Sequence, residues 1–473
     1  MENNLSQTKL IEILKVFSNA ELRQFRMFIE SGLSSTSNKA LILFDFLSAY
    51  HPTFTNSQLS RERAYMSLYP GSNFEDKKLR YAMTDLFQRA CEYLAHRTIR
   101  DNQHIQNRLV KEELARRGAD KSYLSLLGSD GSNWETAAPG NADTYFDRYE
   151  TAFTHLNHFF PRQKRSGTNP IAYVALNLDR FYITRKLQLL CEIVNVRNVM
   201  SVNYEFHLQD EIVKLIVKGE FSDVPAINIY FRILMTLTEP ENEFHFVELE
   251  KLLLLHASVF KKDELRDLYQ YLMNYCIKKI NLGNTAYLNK LLDIYREILP
   301  KQIIFSGVHL SQWDFKNIVT IGLRCGEYDW VYKFIEDYKQ HLATAERANA
   351  YRYNLANYHF NNRDYKKALN LISQVEFTDL YYQLDSRAIV LKCYFEMDDE
   401  EALFYHIAAF KLFLSRNKQI SEYQRTTYKN MIRFTSKLAR ISGKTEKLIE
   451  LQKQIEEVKQ IADINWIRKK AKP

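Results

Sequence analysis

From Lys301 to Lys472 the chain contains no proline. Proline inside a helix removes a backbone donor and clashes with the preceding turn, so its absence leaves helix propagation unopposed over this stretch. Glycine is scarce as well. The 473 residues include 13 Gly and 9 Pro, roughly 3% and 2% where about 7% and 5% are usual. Nucleotide-binding α/β folds and all-β folds need many tight turns and therefore more of both. An all-α chain of long helices is the expectation. Its 30 Tyr and 29 Phe suit that architecture, because flat rings fill the space between packed helices.

Residues 1–127 read as an N-terminal helical domain. Ser18 with Glu21, Thr55 with Gln58 and Ser72 with Glu75 fit capping boxes, in which a hydroxyl and an acid or amide satisfy each other's backbone N–H groups. Amphipathic stretches run over Leu10–Phe17, Glu21–Ile29, Ala40–Tyr50 and Lys77–Leu94, and a polar helical stretch covers His104–Leu127. Residues 128–140 hold Gly128, Gly131, Pro139 and Gly140 and are expected to be a linker. Residues 141–441 are expected to form an α-solenoid. A basic capping helix is expected over 442–473, where Leu448, Leu451, Ile455 and Val458 make a short apolar seam.

The solenoid expectation rests on an internal echo. Ala368-Leu369 recurs as Ala402-Leu403, and Leu355–Phe360 recurs as Ile389–Tyr394, both 34 residues on. Ile318…Val331 and Leu272…Tyr287 repeat the outline further back. A helix–turn–helix period of this length resembles the tetratricopeptide repeat, most clearly over 311–415. That resemblance implies close helix approach at Ala356 and Ala368 with Tyr365 wedged between repeats; Cys393 and Asp399 depart from it. It also implies an inner, partner-binding face that includes Tyr353, Asn357, Asn361, Arg387 and Tyr394. Asn177–Glu192 and the Leu22…Ser31 stretch resemble blocks of an uncharacterised family of long helical bacterial proteins, which implies architecture and no activity. Ser60–Pro70 and Leu79–Leu86 resemble the helix pair of a winged-helix activator domain, which implies a DNA-reading helix carrying Arg80, Thr84 and Arg89. Against that stand the absence of a glycine-turned wing after Leu94 and a near balance of 18 basic and 16 acidic residues over 1–135.

The positive charge is local. Residues 411–473 carry 16 Lys and Arg against 6 Asp and Glu, whereas the rest of the chain carries 49 against 51. Within this segment Arg425, Lys429, Arg433, Lys437 and Arg440 recur at helical spacing and form a ridge opposite Ile420, Tyr423, Met431, Phe434, Leu438 and Ile441. Such a ridge is a solubilising face or a contact for phosphate, nucleic acid or an acidic protein.

Motifs that carry catalysis are missing. There is no phosphate-binding glycine loop, no dinucleotide fingerprint and no His-Glu-x-x-His pair. The Ser-x-x-Lys spacings at Ser6, Ser258 and Ser415 have no second motif. His155 and His158 are three apart but lack a third ligand nearby. The five cysteines are dozens of residues apart, which suits free thiols in a reducing cytoplasm. No apolar run is long enough to span a membrane, and the basic, apolar start of a secretory signal is missing. The expectation is a cytoplasmic, non-enzymatic scaffold for a protein or peptide partner, without metal or cofactor. The alternative is a nucleic-acid-binding regulator with a helical N-terminal reader.

Overall fold

The computed structural model describes residues 5–31, 38–55, 59–127, 138–159, 170–200, 207–376, 379–441, 445–458 and 460–472. Among them there is no strand, and the chain is all-α. Backbone contacts divide it into two compact units, residues 1–182 and 183–473. The expected linker lies mostly outside the described residues.

The first unit contains α1 (Lys9–Val16), α2 (Asn19–Glu30), α3 (Asn38–Ser48), α4 (Arg61–Leu68), α5 (Asp76–Asp101), α6 (Gln103–Arg117), α7 (Asp120–Leu127) and α8 (Ala142–Thr154). The division falls inside α9 (Ile171–Met200). Helices α1 to α4 pack around the long α5. Their core is aromatic, with Phe25 edge-on to Phe44 at 5.2 Å and to Phe17 at 5.6 Å. The Ser18–Glu21 capping box forms and starts α2. Ser72 and Glu75 form none: α5 opens at Asp76 without a side-chain cap. Gln58 lies outside the described residues. The expected helix over 104–127 is two, broken at Gly118, whose φ of 73° closes the end of α6.

The second unit continues with α10 (Gln209–Val217) and then with helix pairs. These are α11 (Pro225–Thr238) with α12 (Glu243–His256), α13 (Lys262–Asn281) with α14 (Ala286–Ile298), and α15 (Gln312–Arg324) with α16 (Tyr328–Tyr338). Next come α17 (Thr344–Asn361) with α18 (Tyr365–Ser373), and α19 (Leu380–Glu396) with α20 (Glu400–Arg416). The set ends with α21 (Glu422–Arg440), α22 (Thr445–Glu456) and α23 (Ile464–Lys470). Each helix from α11 to α21 packs on its neighbour in sequence, and the first helices also stack on one another, α15 on α17, α17 on α19 and α19 on α21. This is the solenoid-like order expected.

The turns inside the last four of these pairs, from α13–α14 to α19–α20, are built the same way. Gly283, Gly326, Arg363 and Asp398 have φ of 97°, 81°, 63° and 53°. In each case the next N–H returns to a carbonyl five residues back: Asn284 to Lys279, Glu327 to Gly322, Asp364 to His359 and Asp399 to Tyr394, at 2.8 to 3.1 Å. That left-handed reversal ends one helix and satisfies its last carbonyls. Asp364 and Asp399 then cap the next helix, accepting from Lys367 N at 3.3 Å and Ala402 N at 3.1 Å. Capping explains the acid at Asp399, one of the two positions that depart from the repeat resemblance. Gly322 lets α15 and α16 approach: a Cβ there would lie 2.4 Å from Val331 Cγ2. Ala356 occupies the position 34 residues on and is fully buried.

Residues 445–472 hold two helices, not one. Leu451 and Ile455 of α22 and Ile461, Ile467 and Ala471 around α23 join the core that Phe410, Met431 and Phe434 build.

Candidate interaction site

Stacking brings charged side chains from different pairs together on the first-helix side. Lys316 of α15 pairs with Asp385 of α19. The Tyr428 hydroxyl of α21 donates to Asp385 Oδ1 at 2.6 Å, and the Tyr382 hydroxyl donates to Gln312 O at 3.0 Å. Lys392 of α19 donates to Asp463 Oδ2 at 2.5 Å. Glu396 accepts from Trp466 Nε1 at 2.7 Å and Lys470 Nζ at 2.6 Å. Most of these partners are 69 to 74 residues apart, about two repeats. The segment ending in α23 therefore lies on α19 and α21, held further by Asn430 Nδ2 on Gln460 O at 2.8 Å.

Electrostatics fit this pairing. Lys392 first, with smaller help from Lys316 and Arg324, holds the Asp463 carboxyl below its usual range against the opposing effect of burial. Asp463 keeps 48% of its side-chain surface although protein surrounds it on most sides. Burial, reinforced by Asp385, pushes the Tyr353 hydroxyl well above its usual range.

The five residues expected on one partner-binding face do not stay together. Tyr353 is only 4% exposed; its ring meets Tyr382 edge-on at 4.9 Å, and Lys316 lies 5.6 Å away. It packs between repeats and is withdrawn from any partner. Asn357 and Asn361 bond to each other, Asn361 Nδ2 donating to Asn357 O at 2.8 Å and to its Oδ1 at 3.1 Å. Arg387 and Tyr394 lie elsewhere, in a groove of about 710 Å³ between α18, α19 and α20.

This groove has an apolar part, formed by Leu369, Ile372, Val375 and Val390, and a polar part that includes Asn370, Gln383, Ser386 and His406. None of the described residues that line it is acidic. The Arg387 guanidinium stacks on Phe413 at 4.2 Å. Its Nε is buried without a hydrogen-bond partner, as is Ser386 Oγ. Desolvation lowers the Arg387 pKa. The His406 ring nitrogen Nε2 meets Arg387 O at 2.9 Å, and burial lowers the His406 pKa. Neutral imidazole suits that position as an N–H donor. Periodicity placed Arg387 and Tyr394 on one face; that the neighbouring Ser386 lacks a partner had no sequence signal.

The basic ridge is shorter than expected. Arg425 is 16% exposed and donates to Asn417 O at 3.1 Å and Ile420 O at 3.2 Å, tying down the entry to α21. Lys429, Arg433, Lys437 and Arg440 are exposed. Lys437 donates to Gln454 Oε1 at 2.6 Å, and Arg440 lies 5.2 Å from the Phe404 ring. Lys429 and Arg433 have no carboxylate partner among the described residues. On the other face Met431, Phe434, Leu438 and Ile420 are buried, but Tyr423 is 64% exposed.

The proposed groove-reading residues of the N-terminal unit are occupied locally. Arg89 is 2% exposed and pairs with Asp85 at 3.1 Å. Arg80 pairs with Asp76 at 2.9 Å, and the Thr84 hydroxyl donates to Arg80 O at 2.9 Å. After Leu94 the chain continues as helix to Asp101, where a winged-helix domain has its hairpin.

Tyr123 OH and His155 Nδ1 are 3.3 Å apart, while His158 is half-buried. No group of three or more metal-ligating side chains occurs among the described residues. Cys91 is exposed, and Cys191, Cys276 and Cys393 are buried. Burial pushes the Cys276 and Cys393 thiols up to about 12, unsuited to nucleophilic attack. No helix among the described residues is long and apolar enough to cross a membrane. Compared with family models, with curated proteins and with solved structures, the chain gives no match.

Proposed function

We propose that this chain is a non-enzymatic, cytoplasmic interaction scaffold of tetratricopeptide-like helix pairs that holds a protein or peptide partner. The groove of α18, α19 and α20 is the observation that carries it: an open surface, part apolar and part polar, on the helix stack. A volume of about 710 Å³ is within the range of sites that hold small ligands and peptide side chains. Residues 1–127 serve in this scheme as an accessory helical domain, and neither metal nor cofactor is required.

Photo-crosslinking in living cells tests it. A benzophenone side chain placed at Asn370, in the groove, is expected to trap a discrete protein adduct. The same group at Tyr405, 80% exposed on α20, is expected to trap none. Identical adducts from both positions, or none from the groove, would sink the proposal.

A second use rests on Lys429 and Arg433, which present unneutralised charge on α21. Nucleic-acid binding through them predicts salt-sensitive retention on DNA or RNA that is lost when both are changed to Glu. Retention unaffected by those changes eliminates that use.

A further inference from the structure

We propose that the groove between α18, α19 and α20 recognises an acidic peptide segment, with one side-chain carboxylate seated on Arg387 and an adjacent apolar side chain on Leu369, Ile372, Val375 and Val390. The proposal builds on the scaffold function above and names the chemistry of its partner.

Four observations converge on it. Arg387 is drawn out of water and stacked on Phe413 at 4.2 Å, so its guanidinium plane is fixed before any ligand arrives. Its Nε is buried without an acceptor, and no carboxylate pairs with it among the described residues. Charges withdrawn from water are ordinarily paired, so a half-buried guanidinium without a carboxylate beside an open groove is free to take an incoming anion. The Ser386 Oγ, 9% exposed as a residue, is a second polar atom there without a partner. Finally, none of the described residues that line the groove is acidic.

The kind of anion follows from the count of cations. A phosphate dianion or a nucleic-acid backbone is normally held by several positive groups. Arg387 is the one permanently charged residue among the described lining residues, and burial holds His406 toward its neutral form. One planar guanidinium matches one carboxylate, through two parallel N–H···O bonds. The amide and hydroxyl groups of Asn370, Ser373 and Gln383 are suited to the backbone of a peptide, and the four aliphatic side chains take the residue beside the acid.

The test uses the full chain and fluorescein-labelled hexapeptide pools with a fixed central residue and mixed aliphatic neighbours. Glu- and Asp-centred pools are expected to raise fluorescence polarisation at least tenfold more tightly than Gln- or Lys-centred pools. Arg387→Met should abolish that preference, and Arg387→Lys should retain only part of it, since the planar fork is gone. Thermal melting of each variant controls for folding. Equal binding of Glu and Gln pools, or a Glu preference that survives Arg387→Met, overturns the proposal. So does binding confined to a phosphoserine-centred pool. A crosslinked partner at Asn370 together with no Glu preference leaves the scaffold standing and removes the acidic ligand. No adduct and no preference remove both.

Discussion

Arg387 and Lys392 both stand on α19; Lys392 is buried and Arg387 half-buried. Lys392, 8% exposed, reaches Asp463 at 2.5 Å and has the Phe360 ring 4.7 Å away. Arg387 points to the other side of the helix, has a ring beneath it, and meets no carboxylate among the described residues. Desolvating a cation costs free energy in either setting; only the first is offset by a carboxylate within the molecule. The difference separates a side of the stack that the chain completes by itself from a side it leaves incomplete. The C-terminal segment makes the first side: it carries Asp463, Trp466 and Lys470 to α19, two repeats away in sequence.

Removing Lys392 is expected to have the largest effect. Losing one member of a fully buried pair costs about 3–5 kcal/mol, and of an exposed pair about 0–1 kcal/mol. With side-chain exposures of 10% for Lys392 and 48% for Asp463 the pair lies between. Lys392→Met should therefore lower stability by about 2 kcal/mol, read as a fall in the urea midpoint. Lys392→Met combined with Asp463→Asn should recover part of it. Acid provides an independent reading. The folded-state carboxyl of Asp463 titrates below its unfolded value, so its contribution is present above about pH 4 and fades as pH falls through the lower, folded value. The wild-type midpoint should thus fall more steeply below pH 4 than that of Asp463→Asn. Parallel acid limbs would show that the pair contributes nothing.

The next effect concerns how tightly the complete side is packed. Gly322→Ala would gain about 1 kcal/mol of helix propensity. It would also press a methyl to 2.4 Å from Val331, a fully buried β-branched side chain with little room to move. Overpacking of this kind costs about 1–3 kcal/mol, so a net loss of about 1 kcal/mol is expected. A rise in melting temperature would mean that α15 and α16 part easily, and that the filled and open sides differ less than the contacts indicate.

How much of this was legible follows from what each signal encodes. Scarcity of Gly and Pro, together with the echo of Ala368-Leu369 in Ala402-Leu403, leads to helix pairs because both report on local backbone preference. The turns at Arg363 and Asp398 were harder to read, since neither is the glycine that a left-handed residue favours. Helical spacing places Arg387 and Tyr394 together but says nothing of what covers a neighbouring turn. That is why Tyr353, enclosed by Tyr382 and Lys316, looked available, and why Arg425, bonded to carbonyls just before its own helix, looked exposed. The pairs Lys316–Asp385 and Lys392–Asp463 do leave a trace, opposite charges near twice the repeat length. The spacing between successive turns drifts from 43 to 37 to 35 residues, which blurs it. The docking of α23 had a weaker signal still, because Ile461, Ile467 and Ala471 match no period shared with the repeats.

Arg387→Met should have the smallest effect on folding and is the sharpest test of the contrast. Methionine keeps a flexible apolar stem and packs well against an aromatic ring such as Phe413. What is lost is a cation–π contact of about 1 kcal/mol; what is relieved is the desolvation of a charge that no carboxylate offsets. The two are of similar size, so the urea midpoint should stay within about 0.5 kcal/mol of wild type or rise. A fall as large as that of Lys392→Met would mean that Arg387 is as structural as Lys392, and that the groove is a flaw in packing and not a place kept for a ligand. An unchanged or raised midpoint alongside lost binding of the Glu-centred peptides would separate the two cations cleanly: Lys392 is spent on holding the fold, and Arg387 is held in reserve for a partner.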